Sequence, residues 1–206
     1  GSILHPLGTN DFSSQLLQAQ ASGAKVIGIA NAGADLANVL KQAREFGIAD
    51  AGQVLAPLGM QVNNVHGIGL ETMQGLVASA PAYWDQSDEA RAFSERWSAQ
   101  MGDRKPNESQ TVTYSAVNHY LKAVEATGSD AGPDVMASMR ELPVDDVFTQ
   151  ATIREDGVVL RDMLQVQVKT PAESEYPWDY YKVIGTLPAA DIWRPLSESE
   201  CPLVNN

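Results

Sequence analysis

The chain has 206 residues, 44% hydrophobic and 19% charged, and its 26 acidic and 14 basic side chains give a formal net charge of −12. That length suits one domain or two small ones with a real core, and its plentiful, periodic Leu, Ile, Val and Phe exclude a disordered chain. The apolar stretches around Val26–Ala34 and Gly75–Ala82 fall short of the ~18 residues a membrane span needs. So few cations cannot neutralise a nucleic-acid backbone, so neither nucleic acid nor an anionic membrane surface is expected as a partner. The lone Cys201 has no internal disulfide partner.

Through the first 80 residues strand and helix signals alternate. Ile3-Leu4-His5 reads as a short strand. Asn10 or Asp11 can cap a helix whose apolar positions are Phe12, Leu16, Leu17 and Ala21, with Gly23 just past its end. Lys25–Ala30 is a nearly continuous apolar run, the pattern of a strand covered on both faces. After a turn at Asn31–Ala34, the stripe Leu36, Val39, Leu40, Ala43 and Phe46 predicts a helix ended by Gly47. Further strands are predicted at Gln53–Ala56 and Gly75–Ala80. Strand, helix, strand with short Gly-containing turns is the pattern of right-handed βαβ units, so an α/β fold with open parallel sheets flanked by helices is expected.

From Asp88 the pattern becomes helical. Amphipathic helices are predicted at Asp88–Met101 and at Ser109–Thr127, the second with Val112, Ala116, Tyr120, Ala123 and Val124 on its apolar face. A third, Pro133–Leu142, has Pro near its first position. Thr149–Arg154 and Val158–Lys169 flank Glu155-Asp156-Gly157 as a hairpin. Gln165, Gln167 and Lys169 alternate with Leu164, Val166 and Val168, which predicts one wet face. Trp178 to Pro202 reads as an extended segment packed across the body.

Signatures of catalysis are missing from the sequence. Gly67-Ile-Gly69 lacks the third glycine of a dinucleotide fingerprint, and there is no phosphate-binding lysine loop or nucleophile elbow. His5, His66 and His119 are far apart and read as packing or surface residues, so no metal or other cofactor is expected. Asp145-Asp146 and Glu155-Asp156 are carboxylate pairs, but adjacent residues point to different sides. Asn107-Glu108-Ser109 matches a glycosylation sequon without further support.

Strand ends remain. Ligands of open parallel sheets bind beyond the carboxyl ends of the strands. Here those positions hold Asn31, Ala32 and Gly33 ahead of a helix, the loop Leu58, Gly59, Met60 and Gln61, and Tyr83 beside Trp84. Small, amide and aromatic residues there suit a small organic ligand, while core packing is an equal reading for Tyr83 and Trp84.

His5-Pro-Leu-Gly-Thr-Asn-Asp-Phe-Ser-Ser14 followed by Leu16–Val26 resembles the periplasmic substrate-binding proteins of ABC importers, in their branched-chain amino acid/amide branch. Ala30-Asn-Ala-Gly33, Gln42–Ile48, Tyr83-Trp-Asp85, Tyr114–Val117, His119–Ala123, Arg154–Gly157 and Val166–Lys169 agree in order along the whole chain. The resemblance implies a non-catalytic, type I periplasmic-binding-protein-like fold of two hinged lobes that close on a solute and deliver it to a membrane permease. The implied location is the periplasm, or the outer face of the membrane in organisms without one. It also implies that an N-terminal half is missing. Residues 1–82 would be most of lobe 2, 83–162 the later part of lobe 1, and 163–206 a return to lobe 2 with the tail.

Several expectations follow from that missing half. Solute binding by this chain alone should be weak or absent unless the missing half is present, and a partner chain, a dimer or poorly covered surface is expected near Ile3–His5 and Val26–Ala30. Cys201 could pair with a lost Cys. Relatives contact ligand through the turn matching Asn31–Ala34 and the loop matching Leu58–Gln61, where amino-acid binders place an acid. Pro57 to Val65 has none, so an aromatic or other organic acid, or an amide, is expected rather than an α-amino acid. Two alternatives are a ligand-sensing receptor ectodomain of the same fold and, less expected, a small α/β enzyme using Asp or Glu.

Overall fold

The structure, a computed structural model, describes Gly1–Val204. It divides into two compact units, one formed by Gly1–Ser79 with Gln165–Ile184 and the other by Ala80–Leu164 with the chain from Gly185 onward.

In the first unit the chain runs α1 (Ser13–Ala21), β1 (Val26–Ile29), α2 (Gly33–Glu45), β2 (Val54–Pro57), α3 (Val62–Ile68) and α4 (Leu70–Met73), then enters β3 (Val77–Ala80). Strands β1 and β2 pair in parallel from Val26↔Val54 to Ile29↔Pro57. The α2 stripe packs as its spacing predicts: Leu36, Val39, Leu40 and Ala43 are all buried, and Gly47 leaves the helix at φ +64°. Phe12 and Leu16 anchor α1, while Leu17 is half exposed. The cap position of α1 is Phe12 rather than Asn10 or Asp11, although Asp11 still accepts a hydrogen bond from the Ser13 amide at 2.9 Å.

Two strand expectations fail here. Ile3–His5 forms no strand, and Leu4 is 90% exposed. In β1 only Ile29 is buried, so this strand is not covered on both faces. An apolar run records affinity for a neighbour, but burial needs that neighbour, and β1 pairs with β2 alone among the described residues.

The second unit contains α5 (Asp88–Met101), α6 (Glu108–Thr127), α7 (Gly132–Glu141) and an antiparallel sheet of β4 (Val144–Asp145), β5 (Gln150–Ile153) and β6 (Val159–Leu160). The Ser87 hydroxyl caps α5 through the Ala90 amide, and Asn107 and Gln110 form a capping box on α6. That box engages the sequon asparagine as a helix cap. Glu155-Asp156-Gly157 turns the β5–β6 hairpin, with Gly157 at φ +85°.

Helix α6 differs from its predicted face. Its buried side chains include Thr111, Ser115, His119 and Ala123, whereas Ala116 and Tyr120 are exposed. The Ser115 hydroxyl meets Thr149 Oγ1 at 2.8 Å, and His119 Nε2 lies 2.8 Å from the Met139 carbonyl. Such partners make a polar stripe stable indoors, which hydrophobic periodicity alone cannot register. The apolar core beside it gathers Ala82, Ala90 and Phe148 with Phe93 and Tyr114.

The long predicted strand Val158–Lys169 breaks at Arg161-Asp162 into β6 and β7 (Met163–Val168). With β8 (Tyr181–Leu187), β7 and β3 form a sheet in the order β3-β7-β8, and the chain passes between the units within each of these strands. Val166 and Val168 are buried. The segment from Met163 therefore divides instead of returning as one piece: Gln165–Ile184 belongs to the first unit and the described chain from Gly185 to the second. The expected end of that return, Asn205 and Asn206, lies outside the described residues. Helix α8 (Ala189–Ile192) holds this tail in the second unit through Ala189 N–H to Asp162 Oδ1 at 2.8 Å, and Trp193 Nε1–H donates to the Arg161 carbonyl at 2.8 Å.

Asp179, almost fully buried in the first unit, pairs with Lys169 and accepts from the Glu175 amide. Lys169→Met strands that carboxylate and should lower the unfolding free energy by about 3 kcal/mol in urea denaturation. In the β5–β6 turn, Arg154 bonds Asp156 and holds its carboxyl down at about 2 against an ordinary 3.8. A depressed carboxylate pKa contributes stability that is present above the ordinary value and lost as pH falls toward about 2. A carboxyl 13C titration of Asp156 should show that low midpoint, and Arg154→Met should return it to the ordinary range.

Candidate functional site

Because β1 and β2 run parallel, their carboxyl ends lie side by side, and the turns leaving them do too. The Leu58 amide donates to the Ile29 carbonyl at 3.0 Å, continuing the ladder beyond the strands. A Cβ on Gly59 would stand 3.8 Å from the Asn31 carbonyl oxygen. The structure thus brings Asn31, Ala32 and Gly33 together with the Leu58–Gln61 loop in the first unit.

The side chains there divide by role. Asn31 Nδ2 lies 2.9 Å from His5 Nε2, while His5 Nδ1 lies 2.8 Å from the Pro6 carbonyl. With the amide nitrogen facing the ring, these contacts fit the tautomer carrying hydrogen on Nδ1. Ala32, at the N-cap of α2, supplies no side-chain cap, and Gly33 begins the helix at φ +57° with open space where a Cβ would stand. The first turn already carries Asp35, whose carboxylate accepts from the Gly8 amide at 3.1 Å. That acid complements the positive end of the helix. Leu58 is 71% exposed, whereas Met60 is buried. Gln61 forms a capping box with Asn64 at the start of α3, and its N–H donates to Asn64 Oδ1 at 2.8 Å.

Tyr83 belongs to the second unit, where it is buried and packs edge-on against Trp84 at 5.7 Å. Its N–H donates to Gln86 Oε1 at 2.8 Å, and Lys105 Nζ sits 4.8 Å from the Trp84 ring centre. His66 stacks on Trp178 at 4.1 Å. Among the described residues no three His, Cys, Asp or Glu side chains cluster as metal ligands, and no helix is long and apolar enough to cross a membrane.

A sequence profile described as periplasmic binding protein matches residues 1–174. The chain belongs to that family. The crystal structure of a periplasmic binding protein from Burkholderia mallei is 44% identical, with a TM-score of 0.91 over 98% of this chain and 53% of that one. A branched-chain amino acid ABC transporter periplasmic ligand-binding protein from Burkholderia xenovorans is 40% identical, with a TM-score of 0.87 over 99% and 55% of the two chains. The solute-binding protein of an ABC transporter from R. palustris, in complex with 4-hydroxybenzoate, shares the fold at a TM-score of 0.75 and 20% identity, over 90% and 51%. No curated protein matches by sequence. The chain spans about half the length of the structures it matches. Family and neighbours are solute-binding proteins rather than enzymes, and the fold is type I periplasmic-binding-protein-like α/β.

Sequence reasoning missed Arg161. It lies in the second unit, is 9% exposed, and donates from Nη2 to the carbonyls of Pro81 and Phe148. No sequence signal marked it, because Val158–Lys169 reads as one unbroken strand and the break at Arg161-Asp162 appears only in the structure. The turn geometry of the first unit has a direct check. Gly33→Ala places a Cβ on a left-handed backbone and should cost about 1 kcal/mol in urea unfolding, while Gly59→Ala, in ordinary contact distance of Asn31, should stay within about 0.5 kcal/mol of the parent.

Proposed function

We propose that this chain is part of the solute receptor of an ABC importer, in which two hinged lobes close on a small organic molecule and present it to a membrane permease outside the cytoplasmic membrane. The carrying observation is the adjacency of the Asn31–Gly33 turn and the Leu58–Gln61 loop at paired strand ends. On this reading Asn31, Ala32, Gly33, Leu58, Gly59, Met60, Gln61 and Tyr83 supply ligand contacts. The relatives' additional half supplies the rest of the grip, and closure is a population shift driven by contacts made only in the closed form.

For the ligand we favour an aromatic or other organic acid, or an amide, over an α-amino acid. An α-ammonium group taken out of water needs a carboxylate or several acceptors. The segment from Pro57 to Val65 contains no acid. The R. palustris protein's complex with 4-hydroxybenzoate shows that this fold can accept an aromatic acid.

Calorimetric titration of two forms tests this: the 206-residue chain, and a chimera joining it to the part of the Burkholderia mallei protein it does not match. The chimera should bind 4-hydroxybenzoate or benzamide in preference to leucine, and the chain alone should bind them far more weakly. Equal affinity in the two forms would remove the two-lobe grip, and a leucine preference would overturn the ligand class.

A further inference from the structure

The sequence contains a single Asp-Gly step and no Asn-Gly step, and it falls at Asp156-Gly157 in the β5–β6 turn. Such a step is chemically labile. Glycine has no side chain to shield its amide nitrogen, which can attack the aspartate Cγ. The new N–Cγ bond closes a succinimide ring, and a carboxyl oxygen leaves as water together with the amide proton. Water then adds back. Opening at the main-chain carbonyl leaves isoaspartate, whose backbone runs through the former side chain and is one methylene longer at unchanged mass.

Both reacting groups are held in this turn. The Arg154 guanidinium forks onto the Asp156 carboxylate, with Nε donating to Oδ1 at 2.9 Å and Nη2 to Oδ2 at 2.8 Å. The Val158 amide donates to Oδ1 at 3.3 Å, and the Ser199 side chain donates to the same carboxylate. The nucleophile is engaged as well, since the Gly157 amide donates its hydrogen to the Arg154 carbonyl at 2.8 Å. Ring closure must break the fork and take that proton from its acceptor. The Asp156 side chain is only 5% exposed, so water competes poorly for the fork. A carboxyl group also reacts in its neutral form, because a carboxylate is a poor electrophile, and Arg154 keeps the neutral form scarce.

We propose that Asp156-Gly157 is a latent isomerisation site that the Arg154 fork keeps closed. Arg154 also reaches the tail, where its Nη1 donates to the Arg194 carbonyl at 2.9 Å. With the Ser199 bond, this joins the turn to the tail at two points. Isoaspartate carries its carboxyl directly on Cα, away from the position that Arg154 and Ser199 grip. Its lengthened backbone no longer suits the turn beyond the Ile153↔Val159 pair. One covalent event at this turn therefore loosens residues 194–199.

Peptide mapping by mass spectrometry, counting isoaspartate at residue 156 during incubation in warm, mildly acidic buffer, tests the proposal. The folded 206-residue chain is compared with a free peptide of residues 150–160 and with Arg154→Met. The peptide should isomerise at least about tenfold faster than the folded chain, and folded Arg154→Met about tenfold faster than its parent, because one pKa unit is a factor of ten in neutral acid. Isomerised molecules, separated by chromatography, should be cut more readily within residues 194–199. Amide signals of the β5–β6 hairpin report whether the variant folds. If it does not, Arg154→Lys, which keeps the charge but loses the fork, should isomerise severalfold faster than the parent. A folded parent that isomerises as fast as the peptide would overturn the proposal. So would a folded variant that keeps the parent's rate, a peptide that forms no isoaspartate, or a tail no easier to cut after isomerisation. No readout involves a ligand or the solute turns, so these results stand or fall apart from the transport reading.

Discussion

Parallel pairing of β1 with β2 is the constraint on which the candidate site rests. Parallel strands end on the same side, so the chain must leave both ends through neighbouring turns, whatever the turn sequences are. The bond from the Leu58 amide to the Ile29 carbonyl carries the register one step beyond the strands. It thereby fixes where the second loop begins relative to the first turn. A slip of one residue would move Gly59 from beside Asn31 and reverse the faces of β2.

The second unit is organised around polar groups in its interior. Asp146 gathers a hydroxyl and two amides onto one oxygen, and Arg161 bridges the carbonyls of Pro81 and Phe148, which lie 67 residues apart by their numbers. The Arg161 carbonyl and the Asp162 carboxylate in turn receive Trp193 and Ala189 from the tail. One short break between β6 and β7 thus collects three distant stretches of chain. Fixed charges of this kind are rigid because each bond limits the others. The same rigidity leaves Asp146 Oδ2 and Arg161 Nε buried without a hydrogen-bond partner.

Both features lie in a chain of the periplasmic binding protein family. In the first unit the candidate elements are turns whose backbone is held by the strands they leave. Met60 and Gln61 are held further: one is drawn into the core and the other into a helix cap.

What the sequence determined by itself was local and periodic. The α2 stripe, the Gly47 helix end and the Asp-Gly hairpin all follow from spacing and backbone preference within a few residues. The order of the strand-end motifs was also legible, and with it the adjacency of the two turns, because the strands of a βαβ unit run parallel and end on the same side. Tertiary structure alone decided which apolar runs found cover. It left Ile3–His5 outside any sheet, buried a polar face of α6, and sent the described tail after Ile184 into the second unit. Those outcomes depend on partners distant in the chain: a strand's burial is set by what lies beside it, and a buried Ser, His or Arg is stable only where a remote carbonyl or carboxylate receives its hydrogen bond.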